Sequence, residues 1–203
     1  MSLELFVARL LVVAAAFFLP LACMAEVTEA QQSAWTVLGR YSTSDGLGYD
    51  EHGAGIAVWR DHCGERLCMR SEVFGTTAKK IDGSSSYAGV ATIEERIALG
   101  EHWWIGAATR WQWRDDGEGW SDQLAIGAGW TDERPDGHGQ ALHLRLLLPD
   151  STAYEAQGYE FRWVSLYPRW LLALELQHVA YTFGGNREWG RRVSLLAGRR
   201  WIH

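Results

Sequence analysis

The chain has 203 residues, a formal net charge of −6 and a mean hydropathy of −0.18. An acidic chain with no basic run argues against a nucleic-acid partner. Beyond the first 25 residues, no stretch approaches the roughly 18 apolar residues that a membrane-spanning helix needs.

Residues 1–25 read as a secretory signal. Arg9 precedes an uncharged apolar stretch from Leu10 to Leu21, which suits a signal core and is too short to cross a bilayer as a helix. Cys23 and Ala25 place small residues at −3 and −1 before Glu26, so cleavage is expected after Ala25; Glu4 is a mild irregularity. Acylation of Cys23 is the alternative, weakened by Pro20 where a lipoprotein signal wants leucine. Residues 26–203 then form one domain.

From residue 33 onward, segments of about ten residues alternate with period two between polar Gly/Asp/Ser stretches. Ten such segments are predicted as strands: 34–42, 52–61, 66–76, 86–99, 103–114, 120–131, 139–149, 158–167, 169–182 and 190–202. The fifth is the clearest, with Trp103, Ile105, Ala107, Trp111 and Trp113 on one face and Gly106, Arg110, Gln112 and Arg114 on the other. In the seventh, Leu142, Leu144, Leu146 and Leu148 oppose His143 and Arg145. In the eighth, Tyr159, Phe161, Trp163 and Tyr167 oppose Glu160 and Arg162. Segment 86–99 also carries Thr92 and Glu95 at capping-box spacing, and Leu-rich 170–177 would tolerate a helix. Glu95 shares a face with Ile93 and Ile97, which suggests a bulge or shifted register there.

Short and long connections alternate along the chain. With a periplasmic amino terminus, the short ones are periplasmic turns and the long ones face outward. The expected fold is an all-β antiparallel transmembrane β-barrel of ten strands, with eight as the alternative. Twelve Trp, seven Tyr and twenty-two Gly in a chain of soluble-looking hydropathy fit that fold, because each strand shows lipid only its alternate residues. A soluble lipocalin-like barrel would alternate equally well. Two features favour the membrane form. The polar face carries Gly53, Gly55, Gly106, Gly127 and Gly129, which relieve crowding in a narrow lumen. The apolar face carries aromatic residues near strand ends: Trp35 and Tyr41, Trp103 and Trp113, Trp120 and Trp130, Tyr159 and Tyr167, with Trp201 near the carboxyl end. These make two interfacial girdles. The whole of residues 26–203 thus resembles the small outer-membrane barrels of the OmpA/OmpX type, although Ile202 and His203 follow Trp201 where such barrels end on Phe or Trp. The resemblance implies a Gram-negative outer membrane.

The most specific chemical signal is a charged pair repeated at i, i+2 on the luminal face: Arg70 with Glu72, Glu94 with Arg96, His143 with Arg145, Glu160 with Arg162, and Glu175 with Gln177. Arg110, Gln112 and Arg114 are the basic variant. A spacing of two keeps both side chains on one side of a sheet, and charges enclosed in a narrow barrel must find partners. A salt-bridged plug is the first expectation, and an anion-friendly passage or pocket the second. Cys63 and Cys68 flank a four-residue tip and are expected to form a disulfide in an oxidising compartment; no further Cys or spaced His completes a metal site. Ser44, Asp45 and His52 contain the ingredients of a triad, and Asp115-Asp116-Gly117-Glu118 those of a calcium loop without the full pattern. Barrel-type lipid A deacylases carry His-x-Ser on a late strand, but here His178 is followed by Val179 and Ala180, so the nucleophile is missing.

The expectation is therefore a non-enzymatic barrel with a plugged lumen and a structural or surface role, without cofactor or metal. Alternatives are a lipid-modifying enzyme and a small anion-preferring channel. Expected partners are outer-membrane lipid, lipopolysaccharide and, during insertion, the barrel-assembly machinery.

Overall fold

The computed structural model describes residues 32–45, 51–64, 66–79, 84–114, 119–149, 155–183 and 186–202. The signal segment and the acidic turn 115–118 lie outside these described residues. Ten strands follow in chain order: β1 (Gln32–Asp45), β2 (Glu51–Cys63), β3 (Leu67–Lys79), β4 (Ser85–Leu99), β5 (Trp103–Arg114), β6 (Gly119–Glu133), β7 (Gly139–Leu147), β8 (Glu155–Leu166), β9 (Trp170–Phe183) and β10 (Asn186–Ile202). Each pairs antiparallel with its chain neighbours, and β1 closes on β10. Closure gives every strand two partners, so no edge is left to aggregate.

The two segments open to a helical reading are strands β4 and β9. Thr92 is buried on the luminal face of β4 rather than capping a helix. Pairing of β4 with β3 and β5 runs without a shift, so Glu95 sits in an ordinary register and faces outward with Ile93 and Ile97. The bulge suggested by its neighbours is absent there; among the described pairings the register shifts between Glu155 and Gln157 in β8. Short connections at 64–66, 100–102, 134–138 and 167–169 share one end of the barrel with Gln32 and Ile202. In the 134–138 turn, Gly137 adopts φ of 81° and donates to the Arg134 carbonyl at 2.8 Å, a left-handed conformation that favours glycine.

Alternation sorts the side chains into an exposed apolar exterior, including Ile56, Ile105, Leu124, Leu144 and Leu195, and a buried polar interior. On β5 and β6, Trp103 is in register with Trp130 and Trp113 with Trp120. Ten residues separate the two pairs along each strand. At about 3.3 Å per residue and a tilt near 40°, that is ~25 Å along the axis, the height of a lipid-facing band. Trp35 lies opposite Trp201 at the short-turn end, where Tyr167 and Trp170 flank the β8–β9 turn. Tyr41, Tyr159, Tyr167 and Trp201 are exposed, and Trp35 and Trp130 are half-buried. Trp113 departs from the expected girdle pattern: its register position faces outward, yet only 7% of it is exposed.

The luminal glycines have two different tasks. A Cβ on Gly127 would sit 2.7 Å from Glu94 Oε1 and 3.3 Å from the Trp104 ring, and one on Gly129 would strike that indole and the Leu142 carbonyl. These glycines let Trp104 lie flat against β6. At Gly55 and Gly106 the obstruction would instead be the backbone of the adjoining strand, at Gly75 and Glu95 respectively. Crowding inside the barrel explains the first pair only.

Cys63 and Cys68 are bonded, as cross-strand partners closing the β2–β3 hairpin. The native protein should therefore show no free thiol at these positions until reduced. Cys63→Ser should lower stability by about 1–2 kcal/mol, less than the ~3 kcal/mol of a fifteen-residue loop, and leave membrane insertion unchanged. Alkylation of both thiols in the unreduced native protein would contradict this.

Candidate functional site

The inward faces of the strands build a layered network of charge. Glu72 on β3 and Arg162 on β8 lie half the circumference apart, and Arg162 nevertheless reaches Glu72 with two donors, at 2.8 and 3.1 Å. Its Nε donates to Glu175 Oε2 on β9 at 2.9 Å. Glu175 also accepts from Arg40 on β1 at 2.5 Å, and Arg40 donates to Ser194 at 3.0 Å. A second set begins at Glu94 on β4, which accepts from Arg96 and, at 3.3 to 3.4 Å, from Arg145 on β7. Arg145 donates to Glu160 at 2.6 Å, Gln177 donates to the other Glu160 oxygen at 2.9 Å, and Arg110 lies 3.6 Å from it. The two sets meet where Arg162 Nη2 stands 3.7 Å from Glu160.

Towards the short-turn end the lumen opens into a cavity of about 220 Å³, lined in part by Asp61, Arg70, Arg96, Trp104, His143 and Arg200. Arg70 holds Asp61 with two donors at 2.6 and 2.8 Å, and its Nη1 lies 3.1 Å from His143 Nδ1 across the lumen. Arg200 holds Glu133 with two donors at 2.6 and 2.9 Å. Planar guanidinium–carboxylate forks of this kind fix both partners in direction as well as distance.

Apolar surface fills part of the remaining space. Leu38, Ala57, Trp59, Phe74 and Leu196 form a buried cluster on the wall made by β1, β2, β3 and β10. Arg162 stacks 4.6 Å and Arg70 5.3 Å from the Trp59 ring, Arg40 4.2 Å from Phe74, and Arg96 4.1 Å from Trp104. Cation–π contacts strengthen when desolvated, and these rings hold the guanidinium planes against the wall.

Of the residues singled out by their spacing, Glu72, Glu94, Arg96, Arg110, His143, Arg145, Glu160, Arg162 and Glu175 are buried in the lumen, and Arg70 is half-buried there. Arg114 continues the luminal side of β5 by register, but its side chain and that of Trp120 are outside the description. Spacing missed Arg40, Asp61, Glu133, Arg192 and Arg200, which join the network, and it missed Trp59 and Trp104. Among the described residues, eight buried or half-buried luminal arginines face six such carboxylates, so this part of the lumen is positive inside a chain of net charge −6.

The Ser44, Asp45 and His52 set is not assembled. Ser44 stands on the inward side of β1 by alternation, whereas Asp45 and His52 face outward. Asp45 accepts from the Arg191 backbone N–H at 2.7 Å, and His52 Nδ1 lies 3.4 Å from the Tyr41 hydroxyl. His178 faces outward and stacks on Trp189 at 4.9 Å.

A closed barrel pairs the backbone of every strand, as a lipid bilayer requires, and its apolar exterior, aromatic edges and charged interior suit the same setting. The chain is a transmembrane β-barrel of the kind housed in the outer membrane of Gram-negative bacteria. Among solved structures it is similar to an outer-membrane channel from Pseudomonas putida F1, at 14% identity over 87% of this chain and 97% of that one, with a TM-score of 0.40. It is similar also to the KdgM porin (10% identity, 82% and 98% covered, TM-score 0.35) and to the NanC porin (12% identity, 78% and 98% covered, TM-score 0.33). No protein-family model matches the chain, and no curated protein matches it. At these distances nothing in the neighbours' names transfers to this chain.

Proposed function

We infer that the chain is a non-enzymatic outer-membrane barrel whose lumen is closed by its own salt bridges, serving a structural or surface-interaction role. The observation that carries this reading is the Arg162 guanidinium joining Glu72 on the opposite wall to Glu175 beside it. A side chain bonded across the full width of the lumen occupies the path a solute would take. Buried charges paired across the lumen in this way give rigidity to the interior rather than a free surface for transport.

One observation favours a second reading, an anion-preferring channel. Buried and half-buried luminal arginines exceed carboxylates by two among the described residues, and Nε and Nη1 of Arg40 have no hydrogen-bond partner. A positive lumen of this kind would favour anions over cations if it opened.

The protein should fractionate with outer membranes and migrate faster on SDS gels unheated than boiled. Proteoliposomes should take up small sugars no faster than empty vesicles. Recovery as a soluble monomer without detergent would contradict the barrel's orientation, and rapid sugar uptake would contradict the closed lumen.

A further inference from the structure

The interior arginines are nearly all tied to carboxylates, whereas two exterior ones are not. Arg60 on β2 and Arg199 on β10 face outward on either side of β1, near the short-turn end. Arg60 lies opposite Trp35, and its guanidinium stands 5.0 Å from that ring. Arg199 lies opposite Val37, one outward position inside Trp201, and its guanidinium stands 5.5 Å from the Trp201 ring. Trp35 and Trp201 are themselves register partners, so the two cations sit on adjoining indoles of one girdle.

Neither arginine has an ion pair or side-chain hydrogen bond among the described residues, and Nε of Arg60 is buried without a partner. The outward positions of β10, β1 and β2 carry a single described carboxylate, Asp45, at the opposite end of the barrel. Two unmatched guanidinium groups on a lipid-facing wall are costly unless the membrane supplies their counter-charge. Long arginine stems can direct the charged heads toward the interface while their methylenes stay in the apolar layer. Beyond the arginines the same wall offers exposed Val37, Ile56 and Leu195, with small Gly39 and Ala197 opposite each other between them. That combination fits a phosphodiester with acyl chains above it.

We propose that Arg60, Arg199, Trp35 and Trp201 form a binding site for the headgroup of an anionic phospholipid in the periplasmic leaflet. The inference rests on the membrane-barrel reading. The guanidinium groups donate to the phosphate oxygens, the indoles hold the guanidinium planes, and the acyl chains lie along Val37, Ile56 and Leu195.

The test is native mass spectrometry of the full protein in mild detergent with equimolar phosphatidylglycerol and phosphatidylcholine. The wild type should retain phosphatidylglycerol preferentially. Combining Arg60→Gln with Arg199→Gln should reduce that preference by roughly fivefold for each arginine removed, and Arg60→Lys with Arg199→Lys should keep most of it. Both variants should remain heat-modifiable on gels. An unchanged lipid preference in a heat-modifiable glutamine variant would overturn the site while leaving the barrel intact. Displacement of the lipid by millimolar inorganic phosphate would also overturn it, marking a simple anion site. A wild type that is soluble without detergent would overturn the membrane reading beneath it.

Discussion

Arg162→Ala should destabilise the barrel by roughly 3–5 kcal/mol in denaturant titration of the folded protein in detergent or lipid. The guanidinium serves two carboxylates, Glu72 at 2.8 Å and Glu175 at 2.9 Å, and all three side chains are buried. Its removal leaves Glu72 without its direct partner, while Glu175 keeps Arg40. The loss should therefore be dominated by the Glu72 carboxylate, stranded far from water. Adding Glu72→Ala to the variant should recover part of the loss, because the double change removes the stranded charge as well. In a wide aqueous lumen the same pair would be screened, and Arg162→Ala would cost less than about 1 kcal/mol.

Trp59→Ala should also cost about 3–5 kcal/mol, through the loss of packing rather than of charge. Trp59 is 1% exposed and lies against Arg162 of the charge network and Arg70 of the cavity. The loss should fall at the lower end of that range for two reasons. The indole N–H has no hydrogen-bond partner in the folded barrel, so its removal relieves an unsatisfied donor. The space left is bordered by guanidinium groups, so water can enter it, as it does in polar cavities. Urea or guanidinium titration beside the wild type measures both. A change below about 1 kcal/mol would mean that the Trp59 wall already borders solvent.

Strand positions were legible because barrel strands must alternate, and the alternation survives even in segments of mixed propensity such as β4. Their ends were not. β10 begins at Asn186 rather than 190, and β8 at Glu155 rather than 158, because strands that rise past the bilayer lose the apolar half of the pattern while keeping the ladder. The luminal network was legible where two polar residues recur at i, i+2. Arg40 stands between inward Leu38 and Ser42, and Arg200 next to inward Gly198, so neither makes a charged pair along its own strand. Their partners, Glu175 and Glu133, come from other strands, which only closure of the barrel brings into reach. Trp104 could have been placed inward from the Trp103-Trp104 doublet alone, since consecutive strand residues must face opposite sides. Glu95 misled because a carboxylate between two isoleucines conflicts with a lipid-facing pattern, yet it lies four residues from the end of β4, near the interface where such a charge is tolerated.

The closed lumen is tested most directly by conductance of the purified wild type in planar bilayers. The salt-bridged interior predicts baseline current with no sustained channel steps at moderate voltage, in either polarity. A steady, anion-selective conductance would contradict it and make the positive lumen a passage.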